Sequence, residues 1–339
     1  MRVLTSQDLE RVLSFPVCIE EMRRAMIATS ARQCALPLRQ FMPVPNRAGK
    51  LGLMPGYIGG DDECFGVKIV SKFERAAGDP HGSHVGAVLL FDAATGLLRA
   101  MLEGGTLTAI RTASMTALAT ATLARADARR LLIVGAGEEA WYHGRALLHA
   151  RPFDDVEIWA RDPARAAALA TRLRDWRIAR ADHELPSPRF SVARNLQAAC
   201  QTADVICTVT SAKTPIVQGE WLNAGVHVNL VGSAIAGTAE VDSTAVARAR
   251  FFVDYRDAAL AAAGELLAAI REGVVAESHI EAEIGDVLAG HRAGRNSDAD
   301  ITVYKSLGVT TQDLAAGWRA LRDAIVQDVG QTLELTAPH

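Results

Sequence analysis

Residues Leu131 to Ala140, read as LLIVGAGEEA, have the residue types and spacing that cradle a pyrophosphate. An apolar, branched run ends in Gly135, Ala136 and Gly137, and Glu138, Glu139 and Ala140 follow. In a strand–turn–helix unit, Gly135 permits the tight turn, Gly137 lets the backbone approach the phosphates, and small Ala140 lets the helix pack on the strand. The free N–H groups that open such a helix, at its positive dipole end, favour an anion. A second strand-like run, Asp155 to Ala160, follows after about one helix length, the size of a βαβ unit. NAD-selective sites place a carboxylate at the tip of that second strand; here the residues are Trp159, Ala160 and Arg161, with Arg165 one helical turn further on. A guanidinium at this place pairs with a 2′-phosphate, so the pattern predicts NADP(H) as the preferred cofactor and leaves NAD(H) possible. Asp162 adds a carboxylate beside Arg161, although it is also placed to cap a helix starting at Pro163.

The elements that must position this turn follow from length and pattern. The chain has 339 residues, 49% of them hydrophobic and 22% charged, which suits a globular protein of two domains, or of one domain with an inserted one. A net charge of −3 with dispersed basic residues gives no electrostatic footprint for nucleic acid. Cys18, Cys34, Cys64, Cys200 and Cys207 are odd in number and show no CxxC pair. That pattern fits reduced, mostly buried thiols better than a disulfide frame, and it predicts no metal site. The opening MRVLTSQDLERVL has acidic residues where a signal peptide needs an apolar core, and no apolar run is long enough to cross a bilayer. A cytoplasmic protein without membrane partners is expected.

Helical spacing of Leu9, Val12 and Leu13, then Met22, Ala25 and Met26, predicts helix over 5–32. Short apolar runs predict strands at 51–54, 65–70 and 87–91, with AATG at 93–96 as a hairpin turn before a return strand at 97–102. A helix is expected from near Thr108 to about Arg125, which puts Arg111 near a helix N-terminus, unfavourable with the dipole unless an anion is present. Strands at 155–160, 190–193, 205–209, 226–231 and 251–253, alternating with helices at 163–176 and 196–202, predict a parallel sheet. Segment 182–189 reads as a surface loop. After a last strand at 301–304, a final helix carries Leu314, Trp318, Leu321 and Ile325 on one face.

Several further segments are specific enough to name a family. MPGY from Met54, GVKIV around Lys68, SHVGAVLLFD from Ser83, LTAIRTASMTALAT around Arg111, GAGEEA at 135–140, TVTSAKTPIV from Thr208 and TVYKSLG near Ser306 resemble the ornithine cyclodeaminase and mu-crystallin family, in order along nearly the whole chain. The resemblance implies an α/β protein. A Rossmann dinucleotide-binding domain with a doubly wound parallel sheet (119–308) would join an α+β substrate-binding and dimerisation domain (1–118), which the C-terminal helix (309–339) completes. It also implies a homodimer and a small α-amino or α-imino acid substrate.

Carried over by position, the resemblance makes Arg39, Lys68 and Arg111 the substrate-carboxylate cations, with Lys68 and Arg111 catalytic and Leu307 on the substrate side. It assigns Ser83, Arg111, the turn Gly135 to Ala140, Arg161, Arg165, Thr208, Val231, Ser233 and Ser306 to the cofactor. A planar, two-pronged guanidinium suits a carboxylate. Clustered cations would also lower the Lys68 pKa, so that it could shuttle a proton. His84, next to Ser83, reads as a structural hydrogen bonder.

Two departures bear on the reaction. Cyclodeaminases of the family place an Asp just after the fifth sheet strand; counting back from Glu240, that position is Ala234 here, and Thr238 stands where a lysine is found. A methyl group cannot exchange a proton, so the cyclisation and water-addition steps lack their acid–base residue. Glu139 replaces the usual glutamine of the glycine turn, and its carboxylate is tolerable only if it turns away from the phosphates. The expected activity is therefore NAD(P)H-dependent reduction of a C=N bond next to a carboxylate, or amino-acid dehydrogenation in reverse. The alternatives are an ornithine- or lysine-type cyclodeaminase with recycled NAD, and a non-catalytic NADPH-binding, crystallin-like protein.

Overall fold

A computed structural model describes residues 1–47, 49–60, 62–73, 85–179 and 187–335. The chain divides into two units, Met1–Thr112 with Val309–His339, and Ala113–Gly308, and each has its own sheet.

The first unit begins with β1 (Arg2–Leu4), α1 (Ser6–Val12) and α2 (Phe15–Ser30). The helical stretch predicted over 5–32 is thus two helices. Thr5 and Asp8 form a reciprocal cap on α1, and the chain breaks at Leu13 and Ser14 because Pro16 is accommodated only in the first turn of α2. Strands β2 (Cys34–Ala35), β3 (Gln40–Pro43), β4 (Gly49–Ile58), β5 (Cys64–Phe73), β6 (Val85–Asp92) and β7 (Leu98–Glu103) follow. The AATG turn joins β6 to β7: Asp92 accepts from the Thr95 N–H, and Gly96 takes φ +69°. Helix α3 (Gly104–Leu123) starts earlier than the spacing predicts, because the Glu103 carboxylate accepts from the Gly105 and Thr106 N–H groups, both at 2.7 Å. Arg111 consequently lies about two turns inside the helix, and the expectation of an unfavourable dipole fails there.

The second unit alternates β8 (Arg130–Val134), α4 (Glu138–Ala150), β9 (Asp155–Trp159), α5 (Pro163–Ala179), β10 (Arg189–Val192), α6 (Leu196–Thr202), β11 (Val205–Thr208) and β12 (His227–Leu230). It continues with α7 (Ser243–Arg248), β13 (Ala249–Val253), α8 (Arg256–Ala262), α9 (Gly264–Arg271), β14 (Ile280–Glu283), α10 (Ile284–Leu288) and β15 (Ile301–Lys305). The sheet order is β10-β9-β8-β11-β12-β15-β13-β14 with every pair parallel, a doubly wound Rossmann sheet. The order reverses between β8 and β11, so the carboxyl end of β8 opens at the switch point where such sheets bind ligands. Of the loop predicted at 182–189, residues 182–186 lie outside the described residues, and Arg189 already belongs to β10.

The chain then returns to the first unit as α11 (Thr310–Val326) and β16 (Gln331–Thr332). That sheet runs β16-β1-β7-β6-β5-β4-β2, with β3 on β4, and α11 packs on α2 and on β4, β5 and β6. The buried face of α11 holds Leu314, Gly317, Ala320, Leu321 and Ala324; Trp318 is half-buried, and Ile325 is 53% exposed, contrary to the predicted stripe. Small residues win this face because the helix lies close to the sheet: a Cβ on Gly317 would stand 2.6 Å from Leu102 Cδ1. Cys18, Cys64, Cys200 and Cys207 are buried and Cys34 is half-buried. Among the described residues, no helix is long and apolar enough to cross a membrane and no group of His, Cys, Asp and Glu could hold a metal ion.

Candidate active site

Strand alternation puts Cys64, Gly66, Lys68 and Val70 on the buried face of β5. Lys68 is 2% exposed at a position that pattern reserves for an apolar side chain. What makes this tolerable is the first turn of α11. Gly56 and Gly66 face each other in register on β4 and β5. A Cβ on Gly56 would stand 2.9 Å from Thr310 Cβ, and one on Gly66 would stand 2.9 Å from Leu314 Cδ2. This pair of missing side chains lets the helix start settle onto the sheet, bringing a fully buried Asp313 beside Lys68.

The contacts are close. Lys68 Nζ and Arg111 Nε both donate to Asp313 Oδ1, each at 3.0 Å, and Arg111 Nη1 donates to Gln312 Oε1 at 3.0 Å. Behind them, the Thr29 and Thr311 hydroxyls meet at 2.8 Å, tying α2 to the same turn of α11. Asp313 Oδ2 is buried and has no hydrogen-bond partner among the described residues. Two cations on one carboxylate leave a surplus of one positive charge. Arg111 commits two of its five N–H groups to this scaffold, so its remaining donors are available to an anion.

Burial pushes the Lys68 pKa down to about 8; Asp313 pulls it back up, and Arg111 pushes it down again. Desolvation is therefore the main cause, ahead of the cation–cation repulsion expected from sequence. Burial raises the Asp313 carboxyl, but Arg111 and Lys68 outweigh that effect and hold it below its ordinary value. Arg39 is half-buried in the connection between β2 and β3 and is not among the partners of Asp313. Ser83 and His84 lie outside the described residues.

In the second unit, Gly135 takes φ +129°, and a Cβ there would stand 2.6 Å from the Val209 carbonyl oxygen, so the turn requires glycine. Gly137 occupies the N-cap of α4 with no side-chain cap, and a Cβ there would meet nothing within 4 Å. An open approach thus leads to the N-terminal, positive-dipole end of a 13-residue helix. Glu139 turns back along its own helix, with Oε2 3.5 Å from His143 Nδ1. Arg165 Nη2 donates to the Ala136 carbonyl at 3.4 Å, setting a guanidinium against the glycine turn, and Arg161 is exposed at the tip of β9. Asp162 accepts from the Ala164 N–H at 2.9 Å, which spends its carboxylate on the start of α5. These residues fit a dinucleotide phosphate.

The remaining sequence-derived positions are less open. Thr208 is buried and its hydroxyl donates to Glu240 Oε2 at 2.8 Å. Ser233 is buried against Glu265, and Lys305 Nζ donates to Ser233 Oγ at 2.7 Å. Ser306 is buried with its N–H on the Leu230 carbonyl, and Val231 is half-buried. The Leu307 side chain packs in the apolar core of the second unit, and Asp254 takes its N–H at 2.9 Å. Ala234 is half-buried against that core, and the Thr238 hydroxyl donates to the Ile235 carbonyl.

The sequence profile of the ornithine cyclodeaminase/mu-crystallin family matches residues 2–328. The chain belongs to this family. It is 32% identical over 335 residues to a Delta(1)-pyrroline-2-carboxylate reductase of Bacillus cereus, covering 98% of this chain and all of the relative. It is 34% identical over 280 residues to the mouse ketimine reductase mu-crystallin, covering 83% and 82%. The Thermococcus litoralis Delta(1)-pyrroline-2-carboxylate reductase, solved with NADH and L-proline, superposes with a TM-score of 0.91 at 29% identity, covering 98% of this chain and 100% of the other.

For this family member, sequence reading missed Asp313 and Gln312, whose TTQDL segment looks like an ordinary helix start with a dipole-favoured acid. It used Glu240 only as a counting mark and missed its role: Glu240 accepts from the Thr210 N–H at 2.8 Å, the Thr210 hydroxyl at 2.7 Å and the Gly232 N–H at 2.8 Å. One carboxylate so ties the turn after β11 to the turn after β12. Burial raises its pKa against the opposing pull of Lys305. No local signal marks either acid, because both act on residues far away in sequence.

Proposed function

We propose that this protein reduces the C=N bond of a small α-imino acid, such as a cyclic ketimine, with a nicotinamide dinucleotide. The observation that carries the proposal is the buried Lys68–Asp313–Arg111 cluster, with one surplus positive charge and an amine whose pKa lies at about 8. The reductase names and high coverage of the relatives support it. Gly135, Gly137 and the start of α4 would hold the pyrophosphate of a nicotinamide dinucleotide, which would supply the hydride. Arg111, held edge-on by Asp313 and Gln312, presents its free N–H groups to the substrate carboxylate and fixes its orientation. Lys68 gives a proton to the imine nitrogen: its N–H bond breaks, a new N–H bond forms on the substrate, and the amine regains a proton from solvent. Carbon gains the hydride and nitrogen the proton, which completes the amino acid. Ala234 offers no acid for ring closure with loss of ammonia. NADPH oxidation with a panel of small cyclic imino acids tests this; silence across the panel, with cofactor bound, overturns it.

NADP(H) is the preferred form in this reading, because Arg161 and Arg165 are the cations on the β9–α5 side of the turn and Asp162 is occupied with its helix. Charge reversal, Arg161→Glu with Arg165→Glu, is expected to lower kcat/KM for NADPH by about 10- to 100-fold, the scale of lost charge-assisted hydrogen bonds, and to change that for NADH little. Paired steady-state assays read the ratio, and an unchanged ratio removes both arginines from cofactor selection.

The working form in this reading is a homodimer in the cytoplasm. On the β5 face opposite Lys68, Phe65, Val67, Leu89 and Phe91 form a half-exposed apolar surface with Pro55 and Tyr57, and Phe65 stacks on Phe91 with ring centroids 5.1 Å apart. Water is a poor neighbour for such a surface, and a second copy would cover it. Val67→Arg with Leu89→Arg is expected to shift the protein from dimer to monomer by light scattering; a dimer of undiminished stability rules out this face.

A further inference from the structure

We infer that Asp313 is the positioning residue that holds Lys68 as a charged proton donor and fixes Arg111 edge-on to the substrate. This rests on the imine-reduction reading above and assigns a residue outside the segments that carry the family resemblance. Asp313 is 0% exposed, whereas Lys68 and Arg111 retain slight exposure, so the carboxylate stands behind the cations and acts through them. Both cations converge on one oxygen, Oδ1, at 3.0 Å each. This shared acceptor sets the distance between ammonium and guanidinium and halves the positive charge that a bound carboxylate meets. Without it, two buried cations would face each other across a site of low polarisability, and the one able to shed a proton is Lys68. Asp313 thereby opposes the desolvation that would leave Lys68 neutral and unable to donate.

Among the described residues, few other charges act on Lys68. Arg111 reaches it from α3 and Lys72 from its own strand, and both favour its neutral form. Its register neighbours on β4 and β6 are Met54 and Val88, which carry no charge. Glu21 on α2 is held by Arg319 at 3.2 Å. Among the described residues, Asp313 is thus the carboxylate that keeps the proton on Lys68.

The test compares kcat/KM for a cyclic imino acid against pH at saturating cofactor. In the wild type, activity should fall on the alkaline side as Lys68 loses its proton near pH 8. Asp313→Asn should move that fall to lower pH by about one to three units, the usual effect of one nearby opposite charge, and lower kcat by about 10- to 100-fold. Asp313→Glu, which keeps the charge, should keep the wild-type position of the fall. Loss of activity by the same factor at every pH, in both variants, would make Asp313 merely structural and overturn the inference. A second arm needs neither variant to fold nor any turnover: the carboxyl carbon of Asp313, followed by 13C NMR in the wild-type holoenzyme, should show an alkaline step that Lys68→Met abolishes. Absence of that step overturns the inference. A clear step in a protein inert toward every imine would instead leave the inference standing and remove the reductase reading.

Discussion

Lys68→Met is expected to lower kcat for imine reduction by about 10²- to 10⁴-fold, the range of a lost general acid, and to leave dinucleotide affinity within about twofold. Methionine nearly matches the length of lysine, so the strand keeps its packing. Asp313 keeps Arg111 as its partner at 3.0 Å, so the substitution strands no buried charge. The glycine turn belongs to the second unit and Lys68 to the first. Steady-state kinetics with a fluorescence titration of NADPH separate the two effects; retained turnover would remove Lys68 from the reaction. The thermal midpoint should stay level or rise. With a folded pKa near 8 against an ordinary value of 10.5, Lys68 binds its proton less readily in the native state than in the unfolded chain. Its charge opposes folding below about pH 8, and stability is regained as pH rises between these two values. That pH-dependent gain should disappear in Lys68→Met.

Arg111→Ala is expected to be worse for both function and fold. In the imine-reduction reading it removes the two-pronged donor for the substrate carboxylate, for a loss in kcat/KM of about 10³-fold or more that appears largely in KM. It also takes away one of the two donors on Asp313 Oδ1 and the guanidinium contact of Gln312 Oε1, and it opens a cavity in the helix core, for a destabilisation of about 3 kcal/mol. Arg111→Lys should recover little of the binding, because an ammonium cannot satisfy Asp313 and Gln312 edge-on and still offer a fork to a substrate. Urea unfolding and substrate saturation curves measure the two losses separately. A variant of normal stability and normal KM would show that the guanidinium neither braces α11 nor holds the acid.

Both predictions draw on a site that is only half visible along the chain. The glycine turn could be read directly, because its requirements are local: a positive φ at Gly135, an uncapped Gly137, and a small Ala140 one turn into the helix. The parallel sheet could be read for the same reason, since period-2 apolar runs and helical runs are short-range properties. Lys68, Arg111 and the altered Ala234 could be recognised as residues, but not with their partners. Asp313 lies 245 positions from Lys68 and 202 from Arg111, and it reaches them only because two glycines on neighbouring strands let α11 sit down on the sheet. Misjudged boundaries had similar causes. Glu103 started α3 early by taking two N–H groups, and close packing on small residues left Ile325 in solvent. Backbone preference and turn chemistry are set by neighbours in the chain, so composition and spacing settle the architecture and the glycine turn. The charge balance of a buried site depends on which distant groups share its low dielectric, and only folding brings those groups together.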